Sequence, residues 1–145
     1  MPGQHTRELS KYHQDMFGAL GKRLARASRT STARNAAEGT YETLRHAVLL
    51  GQPSSQAEAE RLLLEALARR RSWRRLNAHE FECRWLRRTA QIAVPQPFDA
   101  TALLRLITDA EVTVFLGDAP ETELPELYAI AQRELQRLLD RDSQP

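Results

Sequence analysis

The chain has 145 residues, of which 28% are charged and 41% hydrophobic, and its net charge is only +2. This length suits one domain that folds without disulfides or metals, and the single cysteine, Cys83, excludes an intramolecular disulfide and favours a cytoplasmic protein. No apolar stretch has the roughly 20 residues of a membrane span or the length of a signal peptide, so we expect neither a membrane protein nor an exported one.

The small net charge conceals two parts of opposite sign. Residues 1–89 carry 17 Lys and Arg against 9 Asp and Glu, a net +8, whereas residues 90–145 carry 4 against 10, a net −6. Such a split can steer a polyanion to one face or bring two subunits together. The alternative is that the charges form ordinary solvated faces in an arginine-rich chain.

The amino-terminal part shows helical periodicity. Apolar residues three and four apart predict a helix over residues 6–29 and a second helix that ends at Gly51, with a break at the polar residues 30–32. Ser55 followed by Glu58 is a capping-box pattern and predicts the start of a third helix, which ends near Arg71.

A break around Ser72 then leads into a predicted fourth helix over residues 73–92. Two prolines follow, so residues 94–98 should form an extended connector, and Asp99 should cap the next helix. That fifth helix should run to Leu116, although the β-branched residues 111–116 would also suit a short strand.

Pro125 fits the first turn of a last helix. Helices joined by short loops predict an all-α fold, a single-domain bundle of five to six helices over residues 1–145, with flexible ends at about 1–5 and 141–145.

Residues 69–88 combine eight arginines with two tryptophans and a phenylalanine. Guanidinium groups chelate phosphates and carboxylates, and aromatic rings add contact area. An exposed Trp73 or Trp85 could stack on an unpaired base, whereas their apolar neighbours favour burial of both rings in the core. The predicted binding residues, for nucleic acid or an acidic partner, are Arg69, Arg70, Arg71, Arg74, Arg75, Arg84, Arg87, Arg88 and Trp73.

Motifs of catalysis and metal binding are weak. The glycines do not cluster into a phosphate-binding loop, and no GxSxG sequence occurs. His79 and Cys83 are four residues apart and could share a zinc ion on a helix, but two ligands are too few. We therefore predict no cofactor, no metal and no catalytic residues.

Arg74 and His79 have the R-x-x-x-x-H spacing, which resembles the active-site motif of HEPN-type ribonucleases, a family of small all-helical proteins. The resemblance covers six residues, and Arg75 stands where that family usually has a small polar residue. It implies that His79 acts as general acid or base on a ribose hydroxyl while Arg74 stabilises phosphate charge.

The leading hypothesis is a non-catalytic helical accessory or regulatory protein that binds the backbone of DNA or RNA through its Arg-rich, aromatic-containing helix. The first alternative is a protein-binding adaptor or anti-activator that docks an acidic partner or self-associates as a homodimer. The second alternative is a small HEPN-like ribonuclease.

Overall fold

A computed structural model describes the backbone of residues 2–144 and the side chains of residues 18–144. In chain order the elements are α1 (Pro2–Gly51), α2 (Gln56–Arg69), β1 (Trp73–Arg75), β2 (Glu80–Trp85), β3 (Arg88–Ala93), α3 (Ala100–Phe115) and α4 (Leu124–Ser143). The predicted all-α bundle of five to six helices is therefore wrong. The described residues form a mixed α/β fold of four helices and one small antiparallel sheet.

Helix α1 joins two helices that the sequence predicted as separate. The expected break at residues 30–32 is absent. Thr32 Oγ1 donates to Ser28 O at 3.0 Å, so this hydroxyl is satisfied within the helix, and no proline interrupts the backbone there. Ala33 and Ala37, which follow at once, are fully buried. The predicted end at Gly51 is confirmed, whereas the predicted start at residue 6 is wrong, because α1 begins at Pro2 and includes residues 2–5, which were expected to be flexible. The expectations for Met1, Pro145 and the apolar side chains before residue 18 lie outside the described part of the chain.

The predicted start of α2 after Ser55 is confirmed, and one of the two hydrogen bonds of the capping box is formed. Ser55 is the N-cap, and its Oγ accepts from Glu58 N at 3.1 Å. The Glu58 carboxylate accepts from Ser54 N at 3.0 Å rather than from the N-cap amide. The helix ends at Arg69 and Arg70 is extended, so the predicted end of this helix and the break that follows it are confirmed to within two residues.

The predicted fourth helix, residues 73–92, is instead the three-stranded sheet in the order β1-β2-β3. Phe81 and Cys83 on β2 are buried, whereas Glu82 between them lies toward the opposite face. In the register Trp73 lies opposite Cys83, and Phe81 lies opposite Ile92. The alternation of inward and outward side chains has the two-residue period of a strand, and the inward residues pack against α3.

The carboxyl-terminal half follows the prediction closely. Asp99 caps α3 by accepting from Ala102 N at 3.1 Å, and residues 111–115 are helical, so the alternative of a strand there is wrong. Pro125 lies in the first turn of α4 as predicted. Residues 141–143, expected to be flexible, form the last turn of this helix.

Helices α1 and α4 are joined by ion pairs between the two oppositely charged parts of the chain. Arg29 Nη2 lies 2.5 Å from Glu123 Oε2, and Arg26 Nη2 lies 2.5 Å from Glu126 Oε2. Residues 18–28 of α1 are otherwise exposed, so its packing on the body begins near Arg29. Acidic residues of the carboxyl-terminal part thus help to hold α1 against the rest of the fold.

Candidate functional site

The arginines of residues 69–88 are distributed by the sheet, not by a helix. Arg74 on β1 and Arg84 on β2 both point to the outer face, because each alternates with a buried residue. Arg84 N donates to Ser72 O at 2.8 Å, which extends the β1-β2 ladder past Trp73. The backbone pairing therefore brings three segments of the arginine-rich region side by side.

A cavity of about 240 Å³ opens on this outer face. Its single carboxylate, Glu82, lies 3.4 Å from Arg74 Nη2. Among the described residues, Arg71 and Arg84 form no ion pair, whereas Arg74 is partly neutralised by Glu82. The rim of the cavity therefore keeps two guanidinium groups whose charge no described carboxylate neutralises. The lining residues are Arg71, Ser72, Trp73, Arg74, Glu82 and Arg84.

We call the exposed Arg69, Arg71, Arg74, Arg84 and Arg87 the arginine face, although only Arg71, Arg74 and Arg84 line the cavity. Arg69 lies at the end of α2, with its guanidinium 3.9 Å from Glu65, and Arg87 lies in the β2-β3 turn. All five side chains are exposed. A positively charged surface with a shallow polar cavity favours binding of anionic groups.

The remaining three arginines of the predicted set have internal partners. Arg75 Nε and Nη2 donate to the carbonyls of Asn77 and Ala78 at 3.2 and 3.1 Å, which closes the turn between β1 and β2. Arg88 Nε donates to Val114 O at 2.7 Å and fastens β3 to α3. These contacts give Arg75 and Arg88 a structural role.

Arg70 is directed into the interior. Its guanidinium donates to Gly39 O at 3.1 Å and to Thr43 Oγ1 at 2.9 Å, and it lies 3.3 Å from the buried carboxylate of Glu111. Thr40 Oγ1 also donates to Glu111. Arg70 therefore connects α1, α3 and the start of the sheet.

Glu111 is the buried charge that sequence reasoning missed. Burial raises the pKa of this carboxyl, while Arg70, the Thr40 hydroxyl and the indole of Trp73 act in the opposite direction. Within the described residues, the indole N–H of Trp73 has no hydrogen-bond partner of normal geometry. Burial, and secondly the charge of Glu111, also raise the pKa of the nearby Cys83 thiol to about 12. The only signal in the sequence was one acidic residue among apolar neighbours on a helix.

The two tryptophans of the segment have different environments. Trp73 is 5% exposed and packs in the core, so it offers no free face to a ligand. Trp85 is 43% exposed, and its ring meets Phe115 edge-on with centroids 5.6 Å apart. The tryptophan that is available for contact is thus Trp85, beside the exposed Leu86.

The residues considered for catalysis and metal binding are not gathered into one centre. His79 is exposed before β2, with Nδ1 3.3 Å from Gln96 Nε2, whereas Cys83 is fully buried. Arg74 and His79 lie on a strand and in a turn, so the helical setting implied by the HEPN-type spacing is not found here. Within the described residues, no group of three or more His, Cys, Asp or Glu could hold a metal ion.

A larger groove of about 820 Å³ lies between α2, the start of α3 and the connector at residues 95–98. Its lining is largely apolar, and its one ionisable side chain, Asp99, already caps α3. This groove offers no cationic side chain to an anionic ligand, so the arginine face is the stronger candidate for a functional site.

Within residues 2–144, no helix combines the length and the apolar character that crossing a membrane requires. Comparisons with protein-family models, with curated proteins and with solved structures find no match.

Proposed function

We propose that this protein is a non-catalytic accessory or regulatory protein of the cytoplasm that binds the sugar-phosphate backbone of nucleic acid through the arginine face. The observation that carries the proposal is the convergence of Arg71, Arg74 and Arg84 around one outward-facing cavity. Guanidinium groups bind phosphate oxygens in a forked geometry, and contacts of this kind position a protein on nucleic acid without reading its sequence.

The arrangement predicts the strength and the salt dependence of binding. If all five arginines of the face neutralise phosphates, the logarithm of affinity falls with the logarithm of salt concentration with a slope of about −4.5 on duplex DNA and about −3.5 on a single strand. Dissociation constants in the range of about 10⁻⁴ to 10⁻⁶ M at physiological salt are typical of such backbone binding. Sequence preference should be small.

The test compares two triple variants of equal charge. Replacing Arg71, Arg74 and Arg84 with alanine should reduce the slope on duplex DNA by about 2.7. If the wild type and the variant bind equally at 1 M salt, the variant should bind about 170-fold more weakly at about 0.15 M. Fluorescence anisotropy titrations at several salt concentrations measure both quantities. The control replaces three exposed helical arginines with alanine, which should leave the slope nearly unchanged: Arg34, Arg61 and Arg133.

Two results would contradict the proposal. A slope near zero for DNA and RNA would favour an acidic protein as the partner of the arginine face. Cleavage of the RNA probe during titration, abolished by His79→Ala, would instead support a ribonuclease.

A further inference from the structure

The turn between β2 and β3 holds an apolar side chain in an unfavourable backbone conformation. Leu86 and Arg87 form a two-residue connection between Trp85 and Arg88, which lie opposite each other in the ladder. Leu86 has a φ angle of 55°, a region that hairpin turns normally fill with Gly, Asn or Asp. Its side chain is 71% exposed, so burial does not compensate for this strain. Strain retained without a packing benefit points to a role in function.

Trp85 lies next to this leucine and is held in place. Phe115, the last residue of α3, meets its ring at an interplanar angle of 69°. Because its orientation is already restricted while much of its surface is exposed, the ring loses little freedom when it binds a ligand. An aromatic ring of this kind can stack on any base.

The position of the two residues restricts the shape of the ligand. Neighbouring residues of a strand point to opposite faces, so Arg84 belongs to the arginine face while Trp85 lies on the side of α3. A nucleic-acid backbone that contacts both Arg84 and Trp85 must bend to pass from one face of the sheet to the other, and the β2-β3 turn with Leu86 is the edge beside them, within a few residue spacings of about 3.4 Å each. Duplex DNA, with a persistence length of about 150 base pairs, is too stiff for that bend, whereas an unpaired strand can follow it.

We propose that Trp85 and Leu86 form a stacking tip that binds an unpaired base, so that the protein prefers single-stranded nucleic acid to duplex. This inference rests on the proposed binding of the phosphate backbone by the arginine face. The arginines supply most of the affinity, and the tip supplies the discrimination between paired and unpaired nucleotides.

The experiment uses the full chain and three labelled probes: an oligothymidylate of about 15 nucleotides, an abasic oligonucleotide of the same length, and a duplex of the same length. Stacking of one base is worth about 5- to 150-fold in affinity, so the wild-type protein should bind oligothymidylate that much more tightly than the abasic probe. Trp85→Ala should bring this ratio close to one. Substitutions of Trp85 or of Leu86 should not change the affinity for the abasic probe.

Two substitutions of Leu86 form a matched pair. Leu86→Asn removes the apolar side chain and suits the positive φ angle, so it should lower the base-dependent ratio at least about threefold while raising the melting temperature by about 1–4 °C. Leu86→Met keeps an apolar tip and should retain the ratio. The higher melting temperature of the asparagine variant separates loss of contact from loss of fold.

The outcomes separate the two proposals. If the wild-type protein binds oligothymidylate and the abasic probe equally, or if Leu86→Asn and Trp85→Ala keep the wild-type ratio, the stacking tip is refuted while backbone binding stands. If none of the three probes binds, the proposed function fails and the tip with it.

Discussion

Replacing Arg70 with methionine should destabilise the protein, because it breaks a buried ion pair. Methionine preserves much of the apolar stem but removes the hydrogen bonds to Gly39 and Thr43 and the contact at 3.3 Å with Glu111, whose side chain is only 2% exposed. Removing one partner of a buried pair costs about 3–5 kcal/mol. We expect the lower value, about 3 kcal/mol, because Thr40 still donates to Glu111 and that carboxyl can take up a proton.

The destabilisation should grow as the pH rises. Burial raises the pKa of Glu111 above its ordinary value of 4.5, and Arg70 acts against that rise. Between pH 4.5 and the raised pKa, the native state keeps a proton that the unfolded chain has released, so this carboxyl lowers stability as pH increases through the interval. Without Arg70 the native pKa rises further, and the interval extends to higher pH. The free energy of unfolding that the Arg70→Met variant has lost relative to wild type, its deficit, then increases by up to about 1.4 kcal/mol for each pH unit across the added interval.

Urea denaturation at pH 4.5, 6 and 8 measures the deficit as a difference in unfolding free energy. The control Arg69→Met removes the neighbouring exposed arginine and should have little effect. When both proteins carry Glu111→Gln, the titrating group is absent from each, so the loss of stability caused by Arg70→Met should not depend on pH. A deficit that is constant or that shrinks between pH 4.5 and pH 8 would refute the reasoning.

Two further predictions concern Cys83 in the sheet and Gly117 beside it. Cys83 has no exposed surface and a pKa of about 12, so only about one molecule in 10,000 should carry the thiolate at pH 8. Cys83 should therefore react with Ellman's reagent only after denaturation. Stoichiometric labelling of the native protein within minutes would contradict this. Gly117→Ala should cost about 1–3 kcal/mol in a urea titration, since the new Cβ would lie 2.5 Å from Arg88 Cδ and 2.6 Å from the carbonyl oxygen of Thr113. The control Gly18→Ala, with no atom within 4 Å of its Cβ, should be neutral or stabilising, and equal effects of the two alanines would count against the packing argument.

The elements that the sequence predicted well are those with local signals. Ser55, Asp99 and Pro125 each mark a helix start through a hydrogen bond or a fixed backbone angle that involves only the next few residues. The corresponding helices begin where these residues predict. The predicted break at residues 30–32 failed because polar residues permit a helix end without requiring one, and the helix continued into buried alanines.

The sheet was missed because its sequence satisfies two periods at once. Phe81, Cys83 and Trp85 alternate as in a strand, but with Ile92 and Ala78 the same region also fits helical spacing. The β2-β3 turn, at residues 86–87, contains none of the Gly, Asn or Asp residues that mark a tight hairpin. Contact of β2 and β3 with α3 is a long-range interaction, and it decides between the two structures.

The candidate site could be predicted only as a segment. Composition identified the arginines, but their direction follows from the strand alternation and from partners distant in the chain. Arg70 was indistinguishable in sequence from Arg71, yet its ion-pair partner, Glu111, is 41 residues away. Only the folded chain separates the arginine that stabilises the core from the arginine that faces solvent.

The opposite charges of the two parts of the sequence meet in the fold as ion pairs between α1 and the carboxyl-terminal part. Arg29 and Arg45 of α1 pair with Glu123 and Asp142, which belong to the acidic carboxyl-terminal part. These two carboxylates are therefore paired with α1, and neither forms an ion pair with the arginine face. The sheet therefore keeps a local positive charge that the net value of +2 conceals, and this local charge is what a polyanion would encounter first.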